Sequence, residues 1–245
     1  MLLGSVIPNE RSEVKNLARS LLFGLPQGET LHFVQGDSIA RQAMSETLRT
    51  FVAVELPDEV RAYLAECQAR LKGAGANVKW TPPEQVHLTL AFLGNVGVED
   101  LPALVEAVRT AVAPFGPVGL RATGTGQFPP GGVPRVVWVG IEVRTGDLAG
   151  LQQAVAEAAG PFAEKHEDRR FHPHLTLGRV RFGRRGRGGG GGPGDVRSLG
   201  RAIAEMAGET GPDFEAAEIV VFQSDLGPQG PTYTPLARLP LKTTA

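Results

Sequence analysis

The sequence predicts a duplicated fold in which strands and helices build two similar β-sheet lobes, rather than one long doubly wound sheet. Three observations carry that expectation. The tetrapeptide HLTL occurs at His87-Leu88-Thr89-Leu90 and again at His174-Leu175-Thr176-Leu177, in a chain with five histidines. A β-rich run opening on arginine precedes each copy, from Arg49 to Leu56 in the first half and from Arg135 to Val143 in the second. The spacing is also kept, with 86 residues from Arg49 to Arg135 and 87 from His87 to His174. The halves therefore stay in register to within one residue.

Residues 1–43 have no counterpart in the repeat, and their pattern is weak, with one short helix expected over 13–22 before Pro26-Gln27-Gly28. Met44 stands five residues before the first repeat strand. The opening stretch therefore reads as an N-terminal extension, either an appended or wrongly translated leader or a docking helix. Residues 44–245 read as one bilobal domain with interleaved lobes, its repeats at about 49–126 and 135–240.

After the first strand, Pro57-Asp58-Glu59 places a proline and two acids at a helix start, and Val60, Leu64 and Leu71 form an apolar stripe over 58–73. The first HLTL strand follows. Val98-Glu99-Asp100 then opens a helix carrying Leu101, Leu104, Val105, Val108 and Val112, stopped by Pro114 and Gly116, with a strand near 117–124 behind it. The second half repeats the order. Thr145-Gly146-Asp147 leads into a helix with Leu148, Leu151, Val155 and Ala158, and the second HLTL strand comes next. A helix over 196–207, with Val196, Leu199, Ile203 and Met206, precedes strands at 215–223 and 232–239. Between motif and helix, Gly183-Arg184-Arg185-Gly186-Arg187 runs into five glycines and Pro193-Gly194, so 183–194 reads as a flexible loop.

At 245 residues with 42% hydrophobic content, the chain can bury a sizeable core. One cysteine, Cys67, excludes an intramolecular disulfide and points to a reducing, cytoplasmic location. No run reaches the roughly 18 apolar residues of a membrane span, and the opening residues lack a secretory pattern. The net charge of −1 argues against broad nucleic-acid affinity. Its distribution is uneven, however. Residues 165–201 hold one Lys and nine Arg against Glu167, Asp168 and Asp195, a net of +7 that leaves −8 for the rest. A positive segment around the second motif suits a phosphate-bearing ligand such as RNA.

Residues i and i+2 share a face of a strand, so each HLTL copy turns an imidazole and a hydroxyl one way and two leucines the other. The polar face suits a site and the leucine face a core. Two imidazoles offer a general base and a general acid, and two threonine hydroxyls can donate hydrogen bonds to an anionic oxygen. Such a set fits phosphodiester cleavage without a metal. Arg135 and Arg179 are candidates for balancing phosphate charge, and Arg179 is expected on the Thr176 face of its strand. His172 is two residues from His174, so a metal-binding HxH is the competing reading, opposed by Pro173 and by the lack of a third ligand at useful spacing. His32 and His166 have no motif around them and read as surface residues. Trp80, Phe92 and Phe171 are candidates to stack a terminal base or to serve the core.

The segments Trp80 to Gly94 and Phe171 to Arg179, with Arg135-Val136-Val137-Trp138, resemble the two-histidine phosphoesterase superfamily. Within it they are most similar to the bacterial and archaeal RNA 2′,3′-cyclic phosphodiesterases, also called 2′-5′ RNA ligases, over about residues 46–240. The resemblance implies a bilobal α+β fold whose mainly antiparallel sheets line a central cleft, with helices packed outside. It implies hydrolysis of RNA 2′,3′-cyclic phosphate ends, tRNA fragments among them, to 2′-phosphomonoesters. No metal or other cofactor is implied, and the expected form is a monomer with no membrane association. The resemblance makes His87 the proton donor and His174 the proton acceptor, with Thr89 and Thr176 contacting phosphate. Reverse 2′-5′ ligation belongs to the same reading. The alternatives are a non-catalytic module that holds a nucleotide or RNA end, and an enzyme for 2′-5′ oligonucleotides or small cyclic phosphates. The N-terminal extension and the glycine-arginine loop depart from the family pattern.

Overall fold

A computed structural model of the protein describes residues 46–165, 170–182, 195–227 and 230–242. The expectations for residues 1–43 and for the loop at 183–194 lie outside these, as do His32 and His166. The first half contributes β1 (Thr47–Val54), α1 (Asp58–Lys72), β2 (Val78–Trp80), β3 (Leu88–Gly97), α2 (Leu101–Val112) and β4 (Val118–Phe128). The second contributes β5 (Val136–Thr145), α3 (Leu148–Ala159), β6 (His174–Val180), α4 (Val196–Glu205), β7 (Thr210–Ala216), β8 (Glu218–Gly227) and β9 (Gly230–Pro240).

The helices start where the sequence chemistry places their starts. Asp58 and Glu59 sit in the first turn of α1, where carboxylates meet the positive end of the helix dipole. Asp147 and Asp195 accept from Gly150 N–H and Ser198 N–H, capping α3 and α4. Val60, Leu64, Cys67 and Leu71 on α1, and the leucine and valine stripe of α2, are buried in one main core. Cys67 is buried with them.

The strands run β7-β4-β5-β6-β3-β1-β8-β9, with β2 pairing onto β6. Every pairing is antiparallel. The α+β fold is thus the one expected, in two lobes. One lobe is β9-β8-β1-β3 and the other β6-β5-β4-β7, and they join at a single residue pair, Leu88↔Leu175.

The lobes do not coincide with the sequence halves. β4, from the first half, pairs with β5 and β7, whereas β8 and β9, from the second, extend β1. The helices cross over as well. Gln68 of α1 bonds the Leu177 carbonyl of β6 and Tyr63 bonds the Thr123 carbonyl of β4, while Gln152 of α3 bonds the Leu90 carbonyl of β3. The stretch expected as one strand at 215–223 is two. The chain passes at Ala217 from β7 at one edge of the sheet to β8 in the other lobe. No Gly or Pro marks that break in the sequence, which is why its β pattern reads as continuous. The three-residue β2 is too short for periodicity to reveal. Among the described residues no helix is long and apolar enough to cross a membrane.

Candidate active site

The two HLTL copies meet where the lobes join. The motif leucines are buried, Leu88, Leu175 and Leu177 completely and Leu90 nearly so, and strand alternation turns His and Thr of each copy to the opposite face. An antiparallel register centred on Leu88↔Leu175 sets His87 across from Thr176 and Thr89 across from His174. The two histidines thus stand diagonally across the join, one on each strand.

The same local bond orients both rings. His87 Nδ1–H donates to the Gln85 carbonyl at 3.0 Å, and His174 Nδ1–H to the His172 carbonyl at 2.7 Å. In each case the acceptor is two residues back, presented for His87 by the 3-10 turn Pro83–Gln85. This fixes one tautomer for both rings and leaves Nε2 as the nitrogen whose protonation can change.

Their surroundings differ. His87 stacks on Phe51, with centroids 4.6 Å apart and planes at 25°, and Tyr233 meets it edge-on at 5.2 Å. Phe51 packs with Ala53, Val220, Phe222 and Tyr233 in a small cluster separate from the main core. Burial in that cluster pushes the His87 pKa down to about 4, against the raising effect of the Gln85 carbonyl. His174 lies edge-on to Phe128 at 5.1 Å and to Trp138 at 6.4 Å. Burial also raises the Tyr233 pKa, with Arg49 and Arg179 opposing it.

Thr89, His174, Thr176, Arg135 and Arg179 line one open groove of about 1220 Å3. Arg179 reaches the expected face by an unexpected route. It lies three residues past Thr176, so plain alternation would turn it to the core. In the β5–β6 ladder, however, Trp138 opposes Thr176 while Val137 opposes Gly178, so Leu177 is an inserted bulge residue. The bulge resets the alternation and returns Arg179 to the groove. β3 bulges at the equivalent Leu90, since Ala53 opposes Thr89 and Val52 opposes Ala91. Phe92, the counterpart of Arg179 at a spacing of 87, also lines the groove.

Phe171 lines the groove too. Trp80 does not, being half-buried against the main core with Lys72 Nζ 6.0 Å from its ring. The His172 and His174 rings are 6.3 Å apart, and among the described residues no group of three or more His, Cys, Asp or Glu is gathered as a metal site. Sequence reasoning missed the aromatic residues that seat the histidines, Phe51, Phe222 and Tyr233 on one side and Phe128 and Trp138 on the other. One signal was available, because Phe51 and Trp138 are 87 residues apart, like the two histidines.

A family model described as LigT-like phosphoesterase matches residues 54–138 and 140–233. The chain is similar to the RNA 2′,3′-cyclic phosphodiesterase of Methanothermobacter thermautotrophicus, with 32% identity over 187 residues, 76% of this chain and 95% of that protein. Similarity to the same-named protein of Archaeoglobus fulgidus is 33% over 189 residues, covering 77% and 98%. For that of Thermus thermophilus it is 34% over 205 residues, covering 80% and 91%. Among solved structures, one of a Thermus thermophilus protein superposes with a TM-score of 0.62 at 28% identity, covering 81% of this chain and all of that one. Escherichia coli LigT complexed with 3′-AMP gives 0.58 at 25% identity, with the same coverage.

Proposed function

This chain belongs to the LigT-like phosphoesterase family, and from that membership we propose that it hydrolyses 2′,3′-cyclic phosphate ends of RNA to 2′-phosphomonoesters. The observation that carries the proposal is the Leu88↔Leu175 pair, which joins the two motif strands beside a groove lined by Thr89, His174, Thr176, Arg135 and Arg179, with His87 and His174 held in the same tautomer.

The cyclic phosphate sits between the two motifs. His174 Nε2 takes a proton from water as the water oxygen attacks phosphorus. The bond from phosphorus to the ribose 3′ oxygen breaks, and His87 Nε2–H protonates that oxygen. Charge gathers on the two non-bridging oxygens, where the Thr89 and Thr176 hydroxyls donate from opposite strands. Arg135 and Arg179 balance the phosphate charge. With a ribose 5′ hydroxyl attacking phosphorus in place of water, the same groups break the bond to the 3′ oxygen and form a 2′-5′ phosphodiester, and the reverse of that step restores the cyclic phosphate. The protein acts as a cytoplasmic monomer, and no step uses a metal or other cofactor.

Burial holds His87 neutral in the free protein. The donor role therefore depends on the substrate, whose phosphate anion next to the imidazole favours its charged form. His87 and His174 are assigned by leaving group. A cyclic substrate with sulfur at the 3′ position expels a thiolate that needs no proton, so it should restore turnover to His87→Ala and leave His174→Ala slow. The reverse pattern exchanges the roles. The primary experiment is incubation of an oligonucleotide ending in a 2′,3′-cyclic phosphate with the protein in EDTA, followed by product analysis. A 2′-phosphomonoester is expected. An unchanged substrate, or a 3′-phosphomonoester, overturns the proposal.

A further inference from the structure

β3 and β6 pair at Leu88↔Leu175 alone and then separate. The gap is held open by other means. Gln152 of α3 donates to the Leu90 carbonyl, and Glu164 N–H donates to the Leu93 carbonyl at 2.7 Å, so these two carbonyls of β3 are satisfied without a neighbouring strand. Small residues of α3 and beyond, Ala156, Ala159, Gly160 and Ala163, line the groove behind it. The space is continuous with Thr89, His174 and Thr176. At about 1220 Å3 it exceeds the roughly 300–1,000 Å3 of sites for single small ligands.

Its charge is one-sided. Arg135, Lys165, Arg170 and Arg179 line it, and among the described residues lining it there is no carboxylate. Glu164, beside Lys165, is turned to Asn95, whose backbone N–H and side-chain amide both donate to it. Lys165 follows the residue bonded to Leu93, four positions past Thr89, and Arg170 stands four positions before His174. Neither residue lies on the strands that carry the motifs, β3 and β6. Phe92 is 40% exposed on the same wall, with the Arg49 guanidinium 4.6 Å from its ring centroid.

We propose that this gap is a subsite for the nucleotide that precedes the cyclic terminus, with its base stacked on Phe92 and its backbone phosphate held by Lys165 and Arg170. The occupant is single-stranded RNA because the preceding nucleotide leaves the terminal one through its 5′ oxygen, and a stacking ring beside two cations fits a base and a phosphate together. The inference rests on the phosphodiesterase reading and adds a length preference to it.

The test compares a mononucleotide 2′,3′-cyclic phosphate with a dinucleotide bearing the same end, using the full chain. The dinucleotide should have a kcat/KM about tenfold higher, the size expected of one stacked base, carried by KM. In the double variant Lys165→Ala/Arg170→Ala that advantage should shrink severalfold while mononucleotide turnover stays within twofold. The salt dependence of dinucleotide KM should also flatten, by a log–log slope of about 0.7 for each phosphate no longer neutralised. Phe92→Ala should reduce the advantage and Phe92→Tyr should keep it. Equal kcat/KM for the two substrates in the wild type, or equal losses on both in the double variant, would overturn the subsite alone. Turnover of neither substrate overturns the phosphodiesterase reading and the subsite with it.

Discussion

His87 shows how a residue's surroundings set the terms on which it works. An imidazole in the unfolded chain titrates near 6.5, whereas the Phe51 and Tyr233 rings around His87 hold it at about 4. Between those values the unfolded chain binds more protons, so His87 makes stability rise with pH from about 4 to 6.5 and level off above. The difference is worth about 3 kcal/mol. Unfolding free energies at pH 4.5 and pH 7 should therefore diverge less in His87→Phe than in the wild type, and an unchanged difference would count against a neutral His87. Phosphate or a 2′-mononucleotide should raise the His87 resonance titration in the wild type. Turnover makes a separate demand. His87→Ala and His174→Ala should each lose about 10²–10⁴-fold, the usual contribution of a general acid or base. The double variant should be far less than multiplicatively worse if, as proposed, both groups act in one step. Thr89→Val and Thr176→Val remove one hydrogen bond each, so a milder loss of about 10–10³-fold is expected from steady-state kinetics.

At the scale of strands, the motif sets which side chains face the groove and its neighbours set how they are aimed. HLTL was legible because its alternation is regular, and the burial of Leu88, Leu90, Leu175 and Leu177 follows from that alternation. The bulges at Leu90 and Leu177 were not, because an inserted residue leaves no compositional mark, and they decide that Phe92 and Arg179 face the groove. Tyr233 was hidden for another reason. It reaches His87 from β9, 146 residues along the chain, and no local pattern links the two. Trp138 is seated by a missing side chain. A Cβ on Gly126 of β4 would stand 2.1 Å from the Trp138 ring, and that ring makes the edge contacts with His172 and His174. Gly126→Ala must therefore displace either β4 or the indole. Overpacking of this kind costs about 1–3 kcal/mol, which corresponds to a fall in Tm of roughly 2–12 °C for a protein of this size. Turnover should drop with it, and the tryptophan emission should shift. If the melting curve and the emission both match the wild type, the Gly126–Trp138 contact does not position the site.

Across the whole molecule, the two halves of the sequence do not fold as two separate lobes. Each lobe takes strands from both halves, since β4 joins β5 while β8 and β9 join β1. α1 reaches over to β6, and α3 to β3. Cutting the chain between β4 and β5 would leave each half with strand edges and helix faces whose partners lie on the other fragment. The lone Leu88↔Leu175 pair looks like a weak seam, but the crossing elements fasten the two lobes on either side of it. Unfolding is therefore expected to be one cooperative event, although the molecule has two lobes. Trp80 and Trp138 both lie in strands of the lobe that holds β6, so tryptophan fluorescence follows that lobe, while far-UV circular dichroism follows both. In urea the two signals should share one midpoint and one slope. Two separated transitions, with the fluorescence change confined to one of them, would show that the lobes fold independently and that the exchanged strands do not couple them.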